Sequence, residues 1–326
     1  MNLSTNNIIN SNIPKTIHNY ELQNEICELP CGNLYVGINK YINEKVYIKI
    51  YDKLKIFTLF QLTSFINNEI FILKLLNHKN ILQLYEYIES EKFIFIIFEY
   101  FNGQTLQKYF SKKKKINDEL SIKIFYEIII TMEYIHSMNI CHLNINLDNI
   151  LIDDNYNIKI INFHYSCFYK EKIKKEIKNK NYIFLCPEIH IKQLFSPEKA
   201  DVYSCGVLLY YFIVGYFPFR SEKRIINEEM IIKGKFIVPF YIKNTIKDLI
   251  NKMMENNSEK RITFKDIINC EWFNENEGLL NKSNISQGIN IIKQKYPIDN
   301  NALKICNDYK INDSDIKKIL RIIIII

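Results

Sequence analysis

The chain has 326 residues and 39.1 kDa, with 48% hydrophobic and 24% charged residues, enough apolar material for a sizeable core and too much for disorder throughout. Its formal charge of +7 is mild, and its lysine runs, Lys112 to Lys115 and Lys170 to Lys180, lack the interleaved aromatics of a nucleic-acid surface. The most apolar stretch, Ile122 to Ile135, is too short to cross a bilayer and carries Lys123, Glu127 and Glu133, so neither nucleic acid nor membrane is an expected partner. In chain order, residues 1–19 read as a polar tail without the apolar centre of a signal peptide. Tyr20 to Tyr51 alternates in short runs, Leu34-Tyr35-Val36 and then Val46 to Ile50, as in an antiparallel meander. Ile56 to Leu76 has Ile66, Ile70, Leu73 and Leu76 at helical spacing. Strand-like runs follow at Ile81 to Tyr87 and Phe93 to Tyr100, and Asn102-Gly103 breaks the pattern. Beyond it, Leu120 to Met138, Val202 to Val214 and Thr245 to Met254 read as helices. A strand-rich first third before a helical remainder predicts an α+β fold of two lobes, residues 20–101 and 102–274, hinged near Glu99 to Asn102. The eight cysteines are scattered without zinc spacing, so free thiols and a cytoplasmic setting are expected.

Several segments stand in a telling order. They are Val46-Tyr47-Ile48-Lys49, Cys141-His142-Leu143-Asn144 through Asn149, Asn162-Phe163-His164, Cys186-Pro187-Glu188, Asp201 to Gly206, and Lys260-Arg261-Ile262-Thr263 with Trp272-Phe273. Together they make Tyr20 to about Phe273 resemble a eukaryotic protein-kinase domain, nearest to the calmodulin-dependent and AMP-activated Ser/Thr kinase group. Residues 275–298 then read as a linker, and 299–326 weakly resemble part of a ubiquitin-associated-like helical module.

The resemblance implies a nucleotide cleft lined by Gly32, Leu34, Tyr47, Lys49, Glu69, Glu99, Phe101 and Leu151, with Asn149 and Asn162 at the metal positions. It implies catalytic roles at positions 144 and 146, here Asn144 and Asn146. Structural roles fall to Glu188, Asp201 and Arg261, and to an internal column of Leu73, Leu84, His142 and Phe163. Fold is not activity, and the chemical positions depart from the family pattern. Asn144 stands for the catalytic aspartate, and an amide cannot accept the substrate proton. Asn162 stands for the metal-binding aspartate, Asn146 for a phosphate-steadying lysine, Leu143 for an arginine and His164 for a glycine. Of three loop glycines, Cys27, Leu29 and Gly32 keep only the last, and Tyr47 puts a phenol where the family has alanine. Cys167 to Glu188 offers no Ser or Thr for phosphorylation, so the arginine lost at Leu143 has lost its usual partner as well.

The expectation is a catalytically impaired kinase-like domain that needs no cofactor and works by protein binding or allostery, its partner unnamed. One alternative is a divergent Ser/Thr kinase using ATP and Mg²⁺ through Lys49, Glu69 and Asn149. A second is a non-catalytic nucleotide sensor.

Overall fold

The computed structural model describes residues 13–280, apart from 59, 113–116, 170–171, 175–176, 178–180 and 220–227. Most of the linker and all of the ubiquitin-associated-like segment lie outside the described residues. The first third forms one antiparallel sheet in the order β1 (Thr16–Ile17), β2 (Tyr20–Leu29), β3 (Gly32–Asn39), β4 (Glu44–Asp52), β6 (Phe93–Glu99), β5 (Leu84–Glu89). Period-two alternation decides what each face of β4 does. Val46, Ile48 and Ile50 enter a satellite core with Tyr20, Tyr35, Phe95 and Ile97. Tyr47, Lys49 and Tyr51 point the other way, toward the helices.

The helix predicted over Ile56 to Leu76 is recorded as α1 (Lys53–Thr58) and α2 (Phe60–Leu75). The strand predicted from Ile81 begins only at Leu84, because the residues before it pair elsewhere. Ile81 bridges to Ile160, the Leu82 N–H donates to the Ile160 carbonyl at 3.1 Å, and the Ile160 N–H donates to the Asn80 carbonyl at 2.7 Å. Those three residues fasten the small lobe to the large one.

The large lobe contains β7 (Gly103–Thr105), α3 (Leu106–Lys112), α4 (Asp118–Ser137), β8 (Ile140–Cys141), β9 (Ile150–Asp153), β10 (Ile158–Ile160) and β11 (Cys167–Phe168). Helices α5 (Pro187–His190), α6 (Pro197–Val214), α7 (Glu228–Ile232), α8 (Asn244–Met253), α9 (Phe264–Ile268) and α10 (Glu271–Glu275) complete it. Local chemistry sets the helix ends. Asn117 caps α4 by accepting from the Leu120 N–H, with Asp118 and Glu119 favourably placed in the first turn. Helix α6 opens with Ser196 as cap and Pro197 in its first turn, and closes on Gly215 at φ 84°. It is buried along almost its whole length and forms the centre of the lobe. The loops that carry the kinase-like motifs hang from β8 to β11 and face the underside of the small-lobe sheet.

Candidate active site

The β4 alternation aims Lys49 at α2, where its Nζ donates to both Glu69 oxygens, at 2.9 and 3.0 Å. Both side chains are nearly removed from water, 12% and 4% exposed. Burial by itself would lower the Lys49 pKa, but the Glu69 carboxylate and then Tyr51 outweigh it, and the net shift is upward. The ammonium is therefore charged at neutral pH. It also donates across the cleft to Asn162 Oδ1 at 3.3 Å.

The opposing wall starts from Asp201 on α6. Its carboxylate accepts from the backbone N–H groups of His142 (2.8 Å) and Leu143 (2.7 Å) and meets His136 Nε2 at 2.8 Å. Leu143 reaches that carboxylate with φ at 58°, a left-handed conformation disfavoured for leucine and held here by the buried bond. The loop after it is tied together by amides. Asn146 Nδ2 donates to the Asn144 carbonyl and to Asn144 Oδ1, both at 3.0 Å, and Asn149 Nδ2 donates to the Asn144 carbonyl at 2.7 Å. Asn162 Nδ2 then donates to Asn149 Oδ1 at 2.7 Å. Asn162 itself is left-handed, φ 66° and ψ 65°, which asparagine tolerates better than most residues. The family's catalytic and metal positions thus form one hydrogen-bonded chain from Glu69 through Lys49, Asn162 and Asn149 to Asn144 and Asn146. Each amide oxygen a metal would use already accepts an N–H. Without a carboxylate among them, the set does not fit Mg²⁺, a hard ion that takes anionic oxygens.

On the hinge side, the Tyr47 hydroxyl donates to the Phe101 backbone carbonyl at 2.7 Å, and its ring lies 5.0 Å from that of Tyr100. Burial, with Tyr100 second, pushes the Tyr47 phenol up to about 12, so it remains a neutral donor. The ring spans from the roof strand to the hinge, across the space where the resemblance puts adenine. Glu99 turns away and accepts from the Gln83 N–H (2.7 Å) and Lys159 Nζ (2.6 Å). Leu34 lies opposite Lys49 in the β3–β4 register, and Leu151 pairs with Thr105 and Lys159 on the floor.

The lost glycine loop is a tight hairpin in which Leu29 pairs with Gly32 around Pro30 and Cys31, the latter at φ 63°. A Cβ on Gly32 would fall 1.9 Å from the Ile50 carbonyl oxygen. Gly32 is therefore demanded by strand packing, whatever ligand the loop meets.

Leu73, Leu84, His142 and Phe163 are all buried, and the His142 and Phe163 rings sit edge to face at 4.6 Å. Burial, only partly offset by Asp201, lowers the His142 pKa to about 4, so its role is packing of a neutral ring. Arg261, 1% exposed, lies far beneath the cleft. A bidentate fork onto Glu188 is the expected geometry, but a single nitrogen, Nη2, meets both oxygens, at 3.0 and 3.2 Å. The other nitrogens donate to the carbonyls of Lys199 and Glu255, and the guanidinium lies over the Tyr203 ring. Asn144 is buried too, 7% exposed.

Sequence reading missed Asn68. Its amide is buried on α2 and donates into the carbonyls of the Phe163–Ser166 turn. A polar residue beside Glu69 at a helical position otherwise facing the core was the available signal.

A family profile described as protein kinase domain matches residues 20–273. The chain belongs to that family. It is 32% identical to a probable serine/threonine-protein kinase of Dictyostelium discoideum over 261 residues, 79% of this chain and 31% of the relative. It is 30% identical to CBL-interacting serine/threonine-protein kinase 2 of Arabidopsis thaliana over 78% of this chain and 56% of that one. It is 30% identical to CBL-interacting protein kinase 10 of Oryza sativa subsp. japonica over 81% of this chain and 59% of that one. The chain thus spans less than two thirds of the length of each of these curated relatives.

Proposed function

We propose that this kinase domain transfers no phosphate and acts by protein binding or allostery. The observation that carries the reading is the amide chain through Asn162, Asn149, Asn144 and Asn146, which leaves no carboxylate to take a substrate proton or to hold Mg²⁺. The Tyr47 hydroxyl on the hinge carbonyl supports a domain with no nucleotide cofactor. The partner is a protein of unidentified kind; relatives bearing the words CBL-interacting in their names support that class and no particular member of it. Among the described residues no helix is long and apolar enough to cross a membrane. The free thiols of the described residues accord with the cytoplasmic setting we propose; a partner that is neither membrane nor nucleic acid is part of the same reading.

The second reading, a divergent Ser/Thr kinase, is favoured by one observation, the intact Lys49–Glu69 pair. A radiolabelled transfer assay separates the two. The expected result is no incorporation above that of a Lys49→Met control; incorporation that the Lys49 change abolishes establishes the enzyme. A thermal melt with millimolar Mg-ATP tests the cofactor. Saturation at about 100 times the dissociation constant adds about 2.7 kcal/mol, so the expected flat response is readily told from binding. In Tyr47→Ala the adenine slot opens, and any nucleotide response should grow.

A further inference from the structure

One face of α2 carries Phe65, Asn68, Glu69 and Ile72, at the spacing that puts side chains side by side on a helix. Glu69 holds Lys49. The other two polar or aromatic members of that face grip the large lobe. Asn68 Nδ2 donates to the backbone carbonyls of Ser166 at 2.8 Å and His164 at 3.2 Å, with the Phe163 carbonyl at 3.5 Å. Carbonyls only accept, so the amide nitrogen, and not its oxygen, must face them. One turn earlier, the Phe65 ring packs against the rings of His164 and Tyr165, at 5.8 and 5.1 Å. His164 is the residue that replaces a flexible glycine, and its ring gives Phe65 something to pack on. The amide donor and the aromatic contact therefore bind α2 to the Phe163–Ser166 turn of the large lobe.

We propose that Asn68, supported by Phe65 and His164, is a positioning residue that latches α2 inward without nucleotide, metal or activation-segment phosphate. The chain thereby presents one fixed arrangement of its two lobes to a partner. This goes beyond the functional reading and does not depend on it. Phosphate transfer would overturn that reading and leave the latch standing.

The test is hydrogen exchange on the ligand-free full chain, comparing wild type, Asn68→Asp and Ile267→Ala. Asn68→Asp keeps the side chain's shape and turns its donor into an acceptor facing carbonyl oxygens. Exchange in α2 and in residues 163–166 should rise by about tenfold or more in this variant. Ile267→Ala, a remote core change on α9, should raise exchange without singling out those segments. Exchange in Asn68→Asp that is unchanged at α2, or raised only in proportion to global stability, overturns the latch. Should that variant not fold, Phe65→Ala decides: removing the ring contacts to His164 and Tyr165 should raise exchange at α2 and residues 163–166 several-fold more than Ile267→Ala does, and exchange there that rises no more than in Ile267→Ala overturns the latch.

Discussion

At the residue scale, the amides of the cleft are ordered by hydrogen bonds to one another. Asn144 is buried and its Oδ1 takes one of the Asn146 protons. Asn144→Ala should therefore cost about 1 kcal/mol, the worth of one intramolecular hydrogen bond, measurable as a lower urea midpoint. His142 supplies a pH dependence. Its pKa in the fold is about 4 against an ordinary 6.5, so the unfolded chain binds the proton first as pH falls. The contribution is complete above about 6.5 and is lost as pH drops toward 4. At pH 5 the loss relative to pH 7 should be about 2 kcal/mol. His78, also lowered to about 4 by burial, acts in the same direction. Urea midpoints at the two pH values check this, and an equal or higher midpoint at pH 5 would contradict it.

At the scale of elements, the β2–β3 hairpin closes tightly, with Leu29 paired to Gly32. Gly32 has a steric explanation, a β4 carbonyl oxygen 1.9 Å from where a Cβ would sit. Gly32→Ala should destabilise by about 1–3 kcal/mol, the usual cost of forcing atoms into a packed site, and it should do so without any ligand present. A melt showing no change would mean that the hairpin can slide off β4. Much of this hairpin was legible beforehand, because Leu34-Tyr35-Val36 and Val46 to Ile50 alternate with the period of a strand. The late start of β5 was not. Periodicity reports which residues are buried, and Ile81 and Leu82 are buried against β10 rather than beside β6.

At the scale of the whole molecule, the fold is held by anchors outside the cleft. Arg261 joins Glu188, after the activation segment, to the loop between α8 and α9 and to the start of α6. Arg261→Ala should cost about 3–5 kcal/mol, since Glu188 and two carbonyls would lose a buried donor. Arg261→Lys should recover little, because one ammonium cannot reach all three groups and cannot lie flat on Tyr203. Denaturant melts that left either variant near wild type would show that this anchor is dispensable. The sequence alone determined the family and the order of a strand-rich part before a helical one, because motif residues keep their order and spacing however the chain is packed. It also placed asparagine at positions 144, 146, 149 and 162, which is a matter of composition. Only the tertiary structure decided how the replacements are used. That Asn162 accepts from Lys49, that Tyr47 caps the hinge carbonyl and that Asn68 grips the Phe163–Ser166 turn all join residues from 54 to 113 positions apart. Hydrogen-bond partners at such separations are chosen by packing, and no local pattern encodes them.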